Sequence, residues 1–215
     1  MRTMANRTGG STGRAETSAE RRARLIGVAR DVIADEGVAA CTFRRLAQAA
    51  GCSTRPFTHA FGTRDSLLRE VALSTWEGSP IDVDHPDDPA GAPADWDPLD
   101  ELARIGAHWL PTTDERARAE RIYLEIVLYC MNRPDLWREI LGFSAGANRQ
   151  VALILAEGRR RGRIRDDLPV EDLVMAYWSY HAGLGLVAVY EARELPRERI
   201  EPLWRSGLEA LLGPR

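Results

Sequence analysis

Nine polar residues in one short stretch carry side chains suited to nucleic acid. Arg44, Arg45, Ser53, Thr54, Arg55, Thr58, His59, Thr63 and Arg64 all lie in TFRRLAQAAGCSTRPFTHAFGTRDSLL, residues 42–68. A guanidinium is a planar fork that pairs with guanine O6 and N7 together, or with two phosphate oxygens. Arg55 is the candidate for base-edge contact, with Thr54, Thr58 and His59 placed to touch bases or phosphates. Arg44, Arg45 and Arg64 are candidates for clamping phosphates, which sets register without reading sequence, and Thr63 adds a hydroxyl beside them. For Arg44 and Arg45 a solvated helix face is the plainer alternative.

Such side chains need a rigid frame, and the spacing around them supplies one. Phe43, Leu46, Ala47 and Ala50 recur at i, i+3, i+4 and i+7, the apolar face of a short helix. Gly51 is placed to end that helix in the left-handed conformation, and Ser53 to cap the next. Pro56 disfavours helical geometry at Arg55, so the second helix starts late with Thr54 as its cap, while Phe57 and Phe61 turn to the core. Two short helices joined by so tight a turn form a helix-turn-helix, in which the second can enter a major groove while the first braces it. A preceding helix from Ser18 to about Glu36, stopped at Gly37, offers Leu25, Ile26, Ala29, Val32 and Ile33 as the covering face.

Residues 20–70 resemble the N-terminal domain of TetR-type transcriptional regulators. The resemblance is carried by Gly37, Thr42-Phe43, Leu46-Ala47, Ala50-Gly51, Ser53, the aromatic-rich helix ending at Phe61, then Arg64-Asp65 and Leu67-Leu68. It departs from the family in the reading helix: Arg55 and Pro56 stand where a glycine and a small residue are common, and Thr58 where a phosphate-touching tyrosine is. The resemblance implies an all-α fold, with an N-terminal three-helix helix-turn-helix domain and a C-terminal helical ligand-binding and dimerisation domain. The boundaries expected are a disordered tail over 1–18, the DNA-binding domain over 19–63 and the second domain over 64–215.

Charge agrees with that division. Residues 1–75 hold 12 arginines against 7 acidic residues, and residues 76–215 hold 17 against 25, so an overall charge of −3 hides a basic first third and an acidic remainder. Arg2, Arg7 and Arg14 lie in a Gly-, Ser- and Thr-rich tail that reads as solvated. Cys41, Cys52 and Cys130 are odd in number and unpaired in spacing, so they read as small core residues. His59, His85, His108 and His181 have no helix-spaced partner among themselves or with cysteine, and no metal or cofactor is expected. No apolar run reaches the length of a bilayer span and no signal-peptide stretch is present, which points to the cytoplasm without membrane contact.

After a connecting helix from about Arg64 to Trp76 comes a Pro- and Asp-rich loop, residues 78–98, which reads as mobile or as a lid. Helices are then expected over about 99–110, 114–131, 135–161, 170–192 and 197–212. The run Arg159 to Arg163 reads as helix capping, cations facing a negative dipole end, with Gly162 as the stop. Trp109, Tyr123, Ile126, Cys130, Phe143, Trp178 and His181 are the candidates for a cavity binding a largely apolar or aromatic effector with few polar anchors. Leu184, Ala188, Ile200, Leu203, Trp204, Leu208 and Leu211 are the candidates for a homodimer interface. A dimer would place two reading helices on the half-sites of a palindromic operator in double-stranded DNA. The function expected is a sequence-specific regulator, a repressor released by a small molecule. The alternatives are a helical protein-interaction module that has lost DNA binding, or an all-helical enzyme, for which no nucleophile elbow, phosphate-cradling loop or cofactor fingerprint is present.

Overall fold

A computed structural model describes residues 16–75, 79–82, 87–131 and 133–215, without the side chains of residues 139–143. Expectations for Arg2, Arg7, Arg14, Trp76, His85 and the side chain of Phe143 lie outside the described residues. Among those residues the chain is all-α: nine helices, two short 3-10 turns and no strand. The helices are α1 (Ser18–Glu36), α2 (Phe43–Ala49), α3 (Arg55–Phe61), α4 (Arg64–Ser74), α5 (Pro98–Ala107), α6 (Asp114–Cys130), α7 (Pro134–Arg160), α8 (Val170–Tyr190) and α9 (Arg197–Leu212).

Local chemistry sets the ends. Thr17 and Glu20 form a capping box at the start of α1: Glu20 N donates to Thr17 Oγ1 at 3.2 Å, and Thr17 N donates to the Glu20 carboxylate at 2.7 Å. Between α2 and α3, Gly51 takes φ 61°, which lets Cys52 N reach back to Ala47 O at 3.0 Å and Gly51 N to Gln48 O at 3.2 Å. That double closure satisfies carbonyls a helix end would leave bare and fixes the turn before the reading helix. α3 begins at Arg55 with Pro56 in its first turn, but neither Ser53 nor Thr54 caps it by side chain. Cys52 is exposed in the turn, contrary to its expected core role, whereas Cys41 and Cys130 are buried.

Two apolar cores result. The first joins Leu25, Ala29 and Ile33 of α1, Leu46 of α2, Phe57 of α3 and Leu67, Leu68 and Val71 of α4 to Ile122, Ile126 and Cys130 of α6. Each large side chain buried there contributes roughly 1.5–3 kcal/mol. The second is built from α5, α7, α8 and α9, around Leu102, Val151, Ile154, Tyr177, Ile200, Trp204 and Leu208. Helix α5 approaches α9 at Gly106, where a methyl group would stand 2.2 Å from Trp204 Cζ2. Tyr177 Oη and Trp204 Nε1 donate to the carbonyls of Leu102 and Ala103 at 2.9 and 3.0 Å, so these two buried aromatics leave no polar atom bare.

Helix α8 is long and apolar enough, with mean hydropathy 1.2, to cross a membrane by length and composition. In the fold it packs against α6, α7 and α9, with 39 % of that apolar stretch buried. The described part of the Pro-rich loop is pinned: Arg161 donates to Ala92 O at 2.8 Å and Pro93 O at 2.6 Å, Arg163 pairs with Asp97, and Gln150 Nε2 donates to Asp87 O at 3.0 Å. The arginines after α7 thus anchor neighbouring backbone as well as closing the helix, and Arg159 does the same with Arg165 O at 3.1 Å.

Candidate nucleic-acid interface and ligand cavity

The helix-turn-helix presents one solvent-facing surface. Phe57 and Phe61 are buried beneath α3, which leaves Thr54, Arg55, Thr58 and His59 exposed on its outer side. Arg55 and His59, with Arg44 on α2, are exposed and have no side-chain partner among the described residues. The Thr58 hydroxyl donates back to Thr54 O at 3.2 Å, as helical threonines do, and keeps its lone pairs to accept with. Thr63 caps α4, accepting from Ser66 N at 3.1 Å, and Ser53 is exposed in the turn.

Two of the three expected phosphate clamps are otherwise occupied. Arg45 is paired with Glu36, its Nε 2.9 Å from a carboxylate oxygen, so its charge is already answered. Arg64 turns inward, and this corrects its expected role. Its Nε donates to Cys41 O at 2.8 Å, one terminal nitrogen to Val38 O at 2.5 Å and the other to Tyr129 Oη at 2.8 Å, with the guanidinium 4.6 Å from the Tyr129 ring centroid. A fork held at every tine by the protein is not available to DNA.

Tyr129 belongs to α6, and α6 is bolted to the DNA-binding domain along one side. Its Glu125 carboxylate accepts from Val38 N at 3.1 Å, just past the end of α1. Its Arg118 reaches Asp31 and Asp35 of α1, both at 3.0 Å, and Tyr129 Oη donates to Asp65 at 3.2 Å.

The opposite side of α6 is a wall of a cavity of about 1150 Å³. Trp109, Tyr123, Trp178 and His181 line it, four of the residues singled out by sequence. Ile126 and Cys130 do not, and this corrects their expected place: they face the other way, into the N-terminal core, at 0 % exposure. Trp109 and Trp178 lie with ring centroids 6.0 Å apart, and His181 stands edge-on to both. His181 Nε2 lies 3.1 Å from Gly106 O and donates to it; burial lowers its pKa to about 4, so the ring is neutral at pH 7. Burial pushes Tyr123 up to about 12. The Trp178 indole N–H is buried without an acceptor among the described residues.

Sequence reasoning missed Glu120. It lines the cavity and is buried, and desolvation lifts its carboxyl to about 7. Its place in a charged run, DERARAER, reads as solvent-facing; what buries it is Gly185, sixty-five positions on, whose missing side chain makes room for the carboxylate. Among the described residues no group of three or more His, Cys, Asp or Glu side chains is placed to hold a metal ion.

The expected dimer residues divide. Leu184, Ala188, Ile200, Trp204 and Leu208 are turned into the chain's own core, at 0–7 % exposure, where a partner cannot reach them. Leu203 is exposed and Leu211 half-buried. On α8, Leu186, Val187 and Tyr190 are exposed as well, which the sequence reading passed over.

Comparison with known proteins fits this arrangement. Residues 25–71 match the family described as "Bacterial regulatory proteins, tetR family", and residues 98–213 match "BetI-type transcriptional repressor, C-terminal". No match was found among curated proteins. Among solved structures, a putative TetR-family regulator from Rhodococcus sp. superposes with TM-score 0.74 at 16 % identity, covering 89 % of this chain and 98 % of that one. A putative regulator from Saccharomonospora viridis in complex with choline gives 0.73 at 17 % identity, covering 92 % and 100 %. The multidrug binding protein EbrR, complexed with imidazole, gives 0.62 at 25 % identity, covering 90 % of each. These structures share the helix order and the two-domain layout, and the family is one of transcriptional regulators, not enzymes. With a TetR-type helix-turn-helix at one end and a BetI-type domain over more than half its length, the chain belongs to the TetR family of bacterial transcriptional regulators.

Proposed function

We propose that the protein is a cytoplasmic, one-component repressor: a homodimer that holds a palindromic operator and lets go when a small molecule fills the cavity. The observation that carries this reading is the double duty of α6, whose Glu120 and Tyr123 side lines the cavity while its Arg118, Glu125 and Tyr129 side grips the DNA-binding domain. A ligand that prefers one position of α6 shifts the population toward it, and α6 carries the helix-turn-helix along. The choline and imidazole complexes of the two similar structures support a small-molecule ligand. Arg55 reads a base edge, Thr54, Thr58 and His59 touch bases or phosphates, and Arg44 clamps a phosphate. Dimerisation uses the exposed Leu203 of α9 and Leu186, Val187 and Tyr190 of α8, which sets half-sites about 34–36 Å apart.

Electrophoretic mobility with the DNA upstream of the protein's own gene tests this. A sequence-specific shift is expected, and its absence at every moderate salt concentration rejects the reading. Arg55→Ala should relax specificity at one base position and cost about 1–3 kcal/mol. Arg44→Ala should weaken all sequences alike and lower the slope of log Kd against log salt by about 1.

A further inference from the structure

The cavity contains an acidic group that the rest of the chain leaves unpartnered. Glu120 is 8 % exposed, and its carboxylate makes no hydrogen bond or ion pair among the described residues. Its Oε1 sits in the niche left by Gly185, where a methyl group would stand 2.6 Å away. Tyr123 lies one turn along α6, and the Trp109 and Trp178 rings line the same space. We propose that the cavity binds a lipophilic organic monocation, its positive centre set against the Glu120 carboxylate and its apolar part against Trp109, Trp178 and Tyr123. The proposal rests on the effector-controlled regulator described above and names the class of its effector.

The charges around Glu120 leave it as the interior counter-ion. From α1 comes Arg30, half-buried; from α6, α7 and α8 come Glu115, Arg149 and Glu171, all exposed; two cations and two anions at the rim cancel. Arg116 lines the cavity too and keeps its charge, but its guanidinium is turned to Ala107 O at 2.9 Å and makes no ion pair with Glu120 among the described residues. The two histidines add no positive charge at pH 7: burial holds His181 near 4, and burial together with Arg116 and Arg104 lowers His108. What remains is one buried acid among indole and phenol rings, whose negative faces attract a cation most when water is excluded. An anion would hold Glu120 in its neutral form and oppose its ionisation, and a neutral ligand would leave the carboxylate unpaired.

Binding also moves a proton. Empty, the carboxyl holds its proton up to about pH 7 because burial disfavours the charged form. A cation set against it favours the carboxylate, so the neutral acid ionises, the O–H pair stays on oxygen and the proton leaves to solvent. Affinity for the cation therefore rises with pH, by about tenfold from pH 6 to 8, since one ionisation near 7 governs it.

Calorimetry on the full chain, without DNA, tests this with phenyltrimethylammonium, its uncharged isostere tert-butylbenzene and benzenesulfonate. The expected result is binding of phenyltrimethylammonium alone, tenfold or more weaker in Glu120→Gln. The measured heat should change with the ionisation enthalpy of the buffer, as proton release requires. Quenching of Trp109 and Trp178 fluorescence gives an independent readout, and a melting curve confirms that Glu120→Gln is folded. The proposal is overturned if tert-butylbenzene binds as tightly as the cation, if Glu120→Gln keeps full affinity, or if the cation does not bind. Operator release separates it from the reading beneath it. If benzenesulfonate alone frees the operator, the regulator stands and the cation falls; if the cation binds as described and no DNA is shifted, the reverse holds.

Discussion

The two sides of α6 are opposites in how their polar groups are met. Toward the DNA-binding domain, Arg118, Glu125 and Tyr129 each find a partner on α1, α4 or the segment between α1 and α2, and Ile122 and Ile126 fill the core between them. Toward the cavity, Arg116 is held by Ala107 O, but Glu120 has no partner among the described residues, and across on α8 the Trp178 N–H is buried without an acceptor among them. A satisfied face moves as one body with what it grips, because breaking its inner hydrogen bonds would strand buried polar groups. An unmet carboxylate is where a ligand gains most, since it supplies what the fold withheld. Under the proposed function, the two sides of this one seventeen-residue helix would divide transmission from reception.

The strongest way to break this contrast is through Arg64. If it transmits, Arg64→Ala strands the carbonyls of Val38 and Cys41 and unbinds Tyr129, and stability should fall by about 3 kcal/mol, since hydrogen bonds to a charged group contribute about 1.5–3 kcal/mol each and are not additive. Denaturant melts measure it. If Arg64 instead clamps a phosphate, stability stays within about 0.5 kcal/mol and the salt slope of operator binding drops by about 1.

The receiving face makes a prediction with pH. The unfolded chain releases the Glu120 proton near 4.5 and the folded chain near 7. Between those values the unfolded state binds fewer protons, so this residue makes stability fall as pH rises, and the loss is complete above 7. Glu120→Gln removes the titration. It should stabilise the empty protein by about 2 kcal/mol at pH 8, allowing for the unmet amide it leaves, with no gain at pH 4. Thermal melts at the two pH values check it, and equal effects at both would mean that Glu120 is solvated or paired.

These two residues also show where sequence reasoning reaches and where it stops. The bounds of α1 and α9 follow from local signals, a glycine after Glu36 and a proline before Arg197, and both helices form where those signals put them. The exposed face of α3 followed too, because α2, the turn and α3 are neighbours in the chain. Arg64 did not, since its acceptors are backbone carbonyls that no side-chain pattern reveals. Glu120 did not, since it is buried by a glycine on another helix. Ile200, Trp204 and Leu208 recur at bundle spacing, but periodicity marks an apolar face without saying whether the chain's own core or a second copy covers it. Ile126 and Cys130 failed likewise, because α6 serves two cores and spacing alone does not say which face belongs to which.

The smallest expected effect lies in Arg118. Its guanidinium bridges Asp31 and Asp35 at 3.0 Å each, which resembles a strut between α6 and α1, yet the aspartate side chains are 73 % and 63 % exposed. Exposed pairs return little because water already solvates both ions and the long side chain loses freedom to hold them. Arg118→Ala should therefore cost only about 0.5 kcal/mol in denaturant melts, less still at about 0.5 M salt, where the Debye length shrinks to about 4–5 Å. A loss near that from Arg64→Ala would place transmission in the charged rim of α6. The expected small loss leaves it with the half-buried Arg64–Tyr129 contact and the Glu125 bond to Val38, and makes the N-terminal half of α6 free to follow the ligand.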